Sequence, residues 1–265
     1  MHAVLATLLD RLDSPAISGT GVIRWGCPVP SFGDVSTAQL ATLGLNPSNR
    51  EFLDDAGSEL QGVKRRFHTL RSLGLDSWSQ ADARHLGQIA QSCRDYFRGN
   101  PYDRWFRRLD GVISDTASYY RASGGACHLD LVPYATSRKW TELTSRQHSL
   151  LLAIAADTLG SLLRDSPVRI LVLNGQTVVD HFQDVAGLRL ERHEMPNWRL
   201  QRQGSAGVGG YAYQGVVEFV SNIPLGREVL VLGFNHNLQS SFGVTTLVLR
   251  AIRRWLTETA RQFSA

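Results

Sequence analysis

Three side chains of this sequence stand where a polar group could act on a bound ligand: Asn46, Asp130 and His236. Asn46 lies in Ala41–Phe52, ATLGLNPSNREF, where an apolar run stops at Gly44-Leu45-Asn46-Pro47-Ser48. Ala41-Thr42-Leu43 reads as the end of a buried strand. Gly44 lets the chain turn without a Cβ penalty, and Pro47 removes a backbone donor at the loop exit. Asn46 is then presented at the carboxyl end of a strand, where open α/β sheets hold ligands. An amide has no useful basicity, so it can orient water through its carbonyl but not deprotonate it. Asp130 sits within the apolar strand Ala126–Val132. A carboxylate accepts and cannot donate, and so pairs with an amine such as that of cytosine. His236 follows the strand Val229–Leu232 and offers a ring donor. A plainer reading remains open for each: Asn-Pro is common in turns, a lone turn histidine is usually structural, and Asp130 could pair with Arg138.

The elements that must position these residues alternate. The amino-terminal stretch MHAVLATLLDRLDS reads as a short amphipathic helix and Arg24–Asp34 as an extended entry, because Pro28 and Pro30 forbid a helix there. Helical spacing covers Glu59–Ser72, Ala81–Phe97, Tyr102–Tyr120 and Ser145–Leu163, and a long helix runs from about Val244 to Phe263. Ile170–Leu173 is a strand, and Thr177–Phe182 opens the next helix. The region 188–220 alternates polar and apolar residues around the glycine-rich Gly204–Gly210 and predicts a β-excursion with a flexible tip. Strands alternating with helices predict a three-layer α/β/α fold with a central, mostly parallel sheet, as one domain over 1–265.

Gly44-Leu45-Asn46-Pro47-Ser48 resembles the first catalytic motif of the uracil-DNA glycosylase superfamily. His128-Leu129-Asp130-Leu131-Val132-Pro133-Tyr134 is similar to its base-reading strand, RILVLNG at Arg169–Gly175 to its next strand, and VLVLGFNHNLQSSFG at Val229–Gly243 to its closing strand and loop. The four elements keep the family order. The resemblance implies a glycosylase that flips a base, with Asn46 placing the water at C1′ and His236 donating to the base O2 as charge develops there. It implies base contacts from Gly44, Leu45, Pro47, Ser48 and Asp130, and stacking by Phe52 or Phe67. It assigns the DNA-binding loop to Asn237, Leu238, Gln239, Ser240 and Ser241, with Leu238 as the wedge and Gln239 on the orphan base.

Two departures matter. The family carries an Asn where Asp130 stands; its amide reads uracil, whereas a carboxylate would repel O4 and accept the amine of cytosine. Excising plain cytosine would destroy the host genome, so the target becomes a modified cytosine. The superfamily includes phage-defence enzymes that remove glucosylated 5-hydroxymethylcytosine, and Trp140, Trp198, Tyr211 and Tyr213 are candidate sugar-stacking rings. The closing loop also lacks the family's prolines and first serine. A uracil or mismatch repair enzyme and a non-catalytic nucleic-acid-binding descendant of the fold stay open as alternatives.

Composition bounds the rest. No apolar run approaches 20 residues, so no membrane span is expected. Cys27, Cys93 and Cys127 fit neither a disulfide framework nor a zinc site, and are too few for the superfamily's iron–sulfur branch. A cytoplasmic monomer acting on double-stranded DNA that carries a modified base, with neither metal nor cofactor, is expected. There is no G-x-S-x-G elbow and no deaminase H-x-E with P-C-x-x-C. All but Lys64 and Lys139 of the 28 basic residues are arginine, a bidentate phosphate binder. They cluster at 64–66 with Arg71, at Arg104 with 107–108, at 138–139, and at Arg250 with 253–254. With the only lysines outside the matched motifs, no lyase step through an amine is expected.

Overall fold

The computed structural model describes residues 1–99, 103–121, 125–202, 205–239 and 243–264. Strands β1 (Leu40–Gly44), β2 (Ala126–Asp130) and β3 (Ile170–Asn174) are buried at every position. This is why β1 and β3 read as largely apolar runs, since a parallel strand covered on both faces has no solvent side, while β2 buries the polar His128 and Asp130. After them come β4 (Glu191–Glu194), β5 (Leu200–Arg202), β6 (Ser205–Val208), β7 (Tyr211–Val220) and β8 (Ile223–Phe234). The main sheet has the order β2-β1-β3-β8-β7-β4; β2, β1, β3 and β8 are parallel, and β7 and β4 are antiparallel additions. The fold is a mixed α/β one with this sheet as its middle layer.

The helices are α1 (His2–Asp13), α2 (Leu70–Leu73), α3 (Ala83–Arg94), α4 (Asp103–Ile113), α5 (Ser145–Arg164), α6 (Gln176–Ala186) and α7 (Thr246–Ser264). By register His128 and Gly233 point to opposite faces of the sheet. Val179 of α6 packs against Gly233, while Trp105 and Phe106 of α4 pack against His128. α5 lies beside α6 through His148 and His181, and α7 beside α4. The outer edge of β2 is covered by the entry segment, where Phe32 and His128 exchange backbone hydrogen bonds of 2.8 and 2.9 Å. Among the described residues no helix is long and apolar enough to cross a membrane. The three cysteines are buried free thiols.

Some expectations change, among them the helix expected over Tyr102–Tyr120, which ends at Ile113. The helix expected over Glu59–Ser72 is absent: Leu60 N–H turns back to the Phe52 carbonyl, a 3-10 turn spans Gly62–Lys64, and only Leu70–Leu73 is helical, capped by Thr69. The strand at Val229–Leu232 begins six residues earlier, because β7 and β8 form one long hairpin. Ser221 and Asn222 turn it with φ of 50° and 63°, the double positive φ that suits the twist of paired strands. The expected β-excursion is present as β4, the β5–β6 hairpin and β7; positions 203–204 at its tip lie outside the described residues.

Candidate active site

The parallel register sets Asp130, Gly44, Asn174 and Phe234 in one row at the carboxyl ends of four strands, side chains on a common face. Asn46 and His236 each stand three residues beyond the next row back, Leu43 and Gly233. They follow β1 and β8 in the loops at this end of the sheet, with β3 between the two strands and strand axes roughly 10 Å apart. Chain order reverses here, since β1 has β2 on one side and β3 on the other. That is where open α/β sheets form ligand crevices.

Asp130 leans over Gly44. A Cβ there would overlap Asp130 Oδ1 and lie 2.9 Å from His128 Nε2, so glycine is required for close approach rather than for turning. His128 Nε2 is 3.4 Å from Asp130 Oδ1, its Nδ1 is 2.7 Å from Thr42 Oγ1, and Thr42 bonds Tyr119 OH. These groups are all buried. The expected alternative of an Asp130–Arg138 pair is not formed; Asp130 faces His128, and Arg138 is exposed.

Glu51 is the residue that sequence reasoning missed. It closes a 3-10 turn, Asn49–Glu51, directly after the Asn46 motif and is only 3% exposed. Tyr96 OH donates to both its carboxyl oxygens at 3.0 and 3.2 Å, and Arg66 Nη1 stands 3.8 Å away. Burial pushes the Glu51 carboxyl up to about 8; Arg66 and the Tyr96 hydrogen bond oppose this, and the Asp130 charge adds to it. A carboxyl raised this far is largely protonated at neutral pH and can donate. Its one sequence signal, Ser48-x-x-Glu51, has the form of a helix capping box and would send it to solvent. Asp54 and Asp55, the other carboxylates of this segment, are exposed; Asp54 orders a turn and Asp55 pairs with Arg50.

Asn46 is half-buried. Its Nδ2 donates to Thr136 Oγ1 at 2.9 Å and lies 3.4 Å from the Tyr134 carbonyl. Thr136 Oγ1 itself donates to the Arg138 carbonyl, so it must accept from Asn46, which fixes the amide's orientation. Oδ1 is left to accept from another donor. Leu45 receives the Val132 N–H on its carbonyl, Pro47 is buried, and exposed Ser48 caps the 3-10 turn. A cleft of about 460 Å³ opens between Arg24, Ser137, Arg138 and Gln147, and none of Asn46, Asp130, Glu51 or His236 lines it.

The closing loop is held shut. Asn174 Nδ2 donates to Gln239 Oε1 at 2.8 Å, Asn174 Oδ1 accepts from Leu238 N–H, and Gln239 Nε2 reaches the Trp105 carbonyl. Gly175, with φ of 101°, lets Asn237 pass close by. Leu238 is 0% exposed. This corrects its reading as a wedge, because a wedge must project into solvent. Gln239, spent on Asn174 and Trp105, likewise does not face a partner base. His236 is buried; its Nε2 lies 2.7 Å from the Trp198 carbonyl and donates to it, and burial holds its pKa below the ordinary value. As arranged, that proton is committed to Trp198. Ser240 and Ser241 lie outside the described residues.

Phe52 and Phe67 are both buried in one aromatic cluster. Phe67 is stacked on Tyr96 at 5.4 Å and edge-on to Phe32; Phe52 meets Trp25 and the Gly26 backbone. Neither offers an open face to a base. Among the sugar-stacking candidates Trp140, Trp198 and Tyr213 are core residues, and Tyr211 is covered by Arg192 at 3.7 Å. Several basic clusters are already engaged: Arg253 binds Asp115 and Arg66 approaches Glu51. Lys64, Arg65, Arg138 and Lys139 are exposed. No protein-family model matches the chain, and no curated protein matches it either.

Proposed function

We propose that the protein is a monofunctional DNA glycosylase that flips a modified cytosine out of DNA and hydrolyses its N-glycosidic bond, leaving an abasic site. Glucosylated 5-hydroxymethylcytosine in phage DNA is the substrate the reading favours. The observation that carries it is two buried carboxyl groups close enough to interact, Asp130 at the carboxyl end of β2 and Glu51 on the turn that follows the Asn46 loop. The cytosine edge presents an amine at position 4 and an acceptor at N3. Asp130 accepts from the amine, and the protonated Glu51 carboxyl donates to N3. Uracil presents the opposite pattern at both atoms.

Asn46, with its NH2 committed to Thr136, turns its carbonyl to the attacking water and orients it toward C1′. No base deprotonates that water directly, so the enzyme is slow and works by positioning. His236 stabilises the departing base once DNA binding draws its Nε2–H away from Trp198; one such buried donor contributes about 3 kcal/mol.

The test is base release. Duplexes carrying uracil, 5-hydroxymethylcytosine or glucosylated 5-hydroxymethylcytosine are incubated with the protein, then treated with hot alkali to cut abasic sites. Cleavage on a modified cytosine with little on uracil supports the reading. Efficient uracil excision defeats the cytosine assignment, and binding without cleavage on any substrate favours a non-catalytic descendant.

A further inference from the structure

Val63 is the most exposed large apolar side chain of the described residues, at 104% of its free value. It tops the 3-10 turn Gly62–Lys64, with Gly62 at φ 55°, and Lys64 and Arg65 beside it are exposed. Among the described residues Lys64 and Arg65 form no ion pair. The acidic groups of the same loop are spent: Asp55 on Arg50, Asp54 on its own turn, Glu59 on Thr69. An aliphatic tip followed by two unpaired cations has the chemistry of a side chain that enters a base stack while its neighbours grip the adjacent phosphates.

The loop's feet fix where the tip stands. On one side Leu60 N–H bonds the Phe52 carbonyl at 2.8 Å and Glu59 bridges Leu53. On the other, Arg66 donates to the Arg50 carbonyl and stands 3.8 Å from Glu51, and Phe67 packs on Phe52. Both feet therefore rest on the turn that carries Glu51, and residues 61–65 rise from the rim of the candidate site.

We propose that Val63 is the wedge that fills the stack vacated by the flipped nucleotide, with Lys64 and Arg65 holding the adjacent phosphates. This rests on the glycosylase reading. It moves the wedge from the closing loop, where Leu238 is buried, to the loop following Glu51.

The test compares wild type, Val63→Ala and Val63→Leu under single-turnover conditions on one modified sequence, as duplex and as single strand. A stack exists only in the duplex, and unstacking costs a few kcal/mol, so Val63→Ala should slow duplex excision about tenfold or more and leave single-strand excision unchanged. Val63→Leu should restore the duplex rate. Val63 makes no buried contact, so the fold is not at risk. Equal loss on both substrates, or none on either, overturns the proposal. A 2-aminopurine beside the target separates the two readings. If wild type releases no base from either form, the glycosylase reading fails. The fluorescence rise on binding then still reports the wedge: its loss in Val63→Ala upholds insertion, and its persistence refutes it.

Discussion

Asp130 and Gly44, paired across β2 and β1, are in such close contact that the carboxylate occupies the space a Cβ on Gly44 would need. Gly44→Ala should therefore destabilise the protein by about 1–3 kcal/mol through overpacking, and displace Asp130 from the strand end. Urea denaturation checks this. An unchanged midpoint would mean that Asp130 does not lie across the glycine.

Asp130→Asn should shift base preference toward uracil, because an amide restores a donor opposite O4. A mismatched buried polar group costs about 1–3 kcal/mol, which corresponds to a clear change in the ratio of excision rates. Rates on uracil and modified-cytosine duplexes measure it. A variant that stays active with its preference unmoved removes Asp130 from base reading.

Asn46→Ala should abolish base release while DNA affinity stays within a few-fold, since phosphate contacts dominate binding. Fluorescence anisotropy and single-turnover excision separate the two effects. Turnover like that of wild type would exclude Asn46 from water positioning.

Glu51→Gln gives a stability signature in pH. The carboxyl rises from 4.5 when unfolded to about 8 in the fold, so the folded state holds its proton more tightly. Wild type is most favoured below about pH 4.5 and loses this advantage as pH rises toward 8. Glutamine carries no such proton and can still accept from Tyr96. Variant minus wild-type stability should thus increase between pH 4.5 and 8 by on the order of a few kcal/mol, then level off. Parallel curves across that range would show that Glu51 ionises normally.

Leu238→Ala should cost about 2–5 kcal/mol in denaturant unfolding, as expected for a buried leucine. A loss near zero, with duplex excision alone impaired, would return Leu238 to the role of wedge and count against Val63.

The core parallel strands and their end residues were legible in the sequence, because a strand buried on both faces is mostly apolar. Leu40–Gly44, Ala126–Asp130 and Ile170–Asn174 announce themselves this way, and Gly44, Asn46 and Asp130 stand out as the breaks in that pattern. Which side chains face inward beyond the strands was decided only by tertiary packing. Leu60, Val63, Phe67 and Leu70 share one helical spacing, yet Val63 is fully exposed and Phe67 is 1% exposed, because the chain turns back onto Phe52 instead of forming a helix. Leu238 is equally apolar as a wedge or as core; Asn174, 64 positions earlier, draws its backbone inward. Glu51 is an ordinary acid until Tyr96, Arg66 and Asp130 gather around it from distant parts of the chain. Burial and pKa are properties of what surrounds a group, and local sequence does not contain those surroundings.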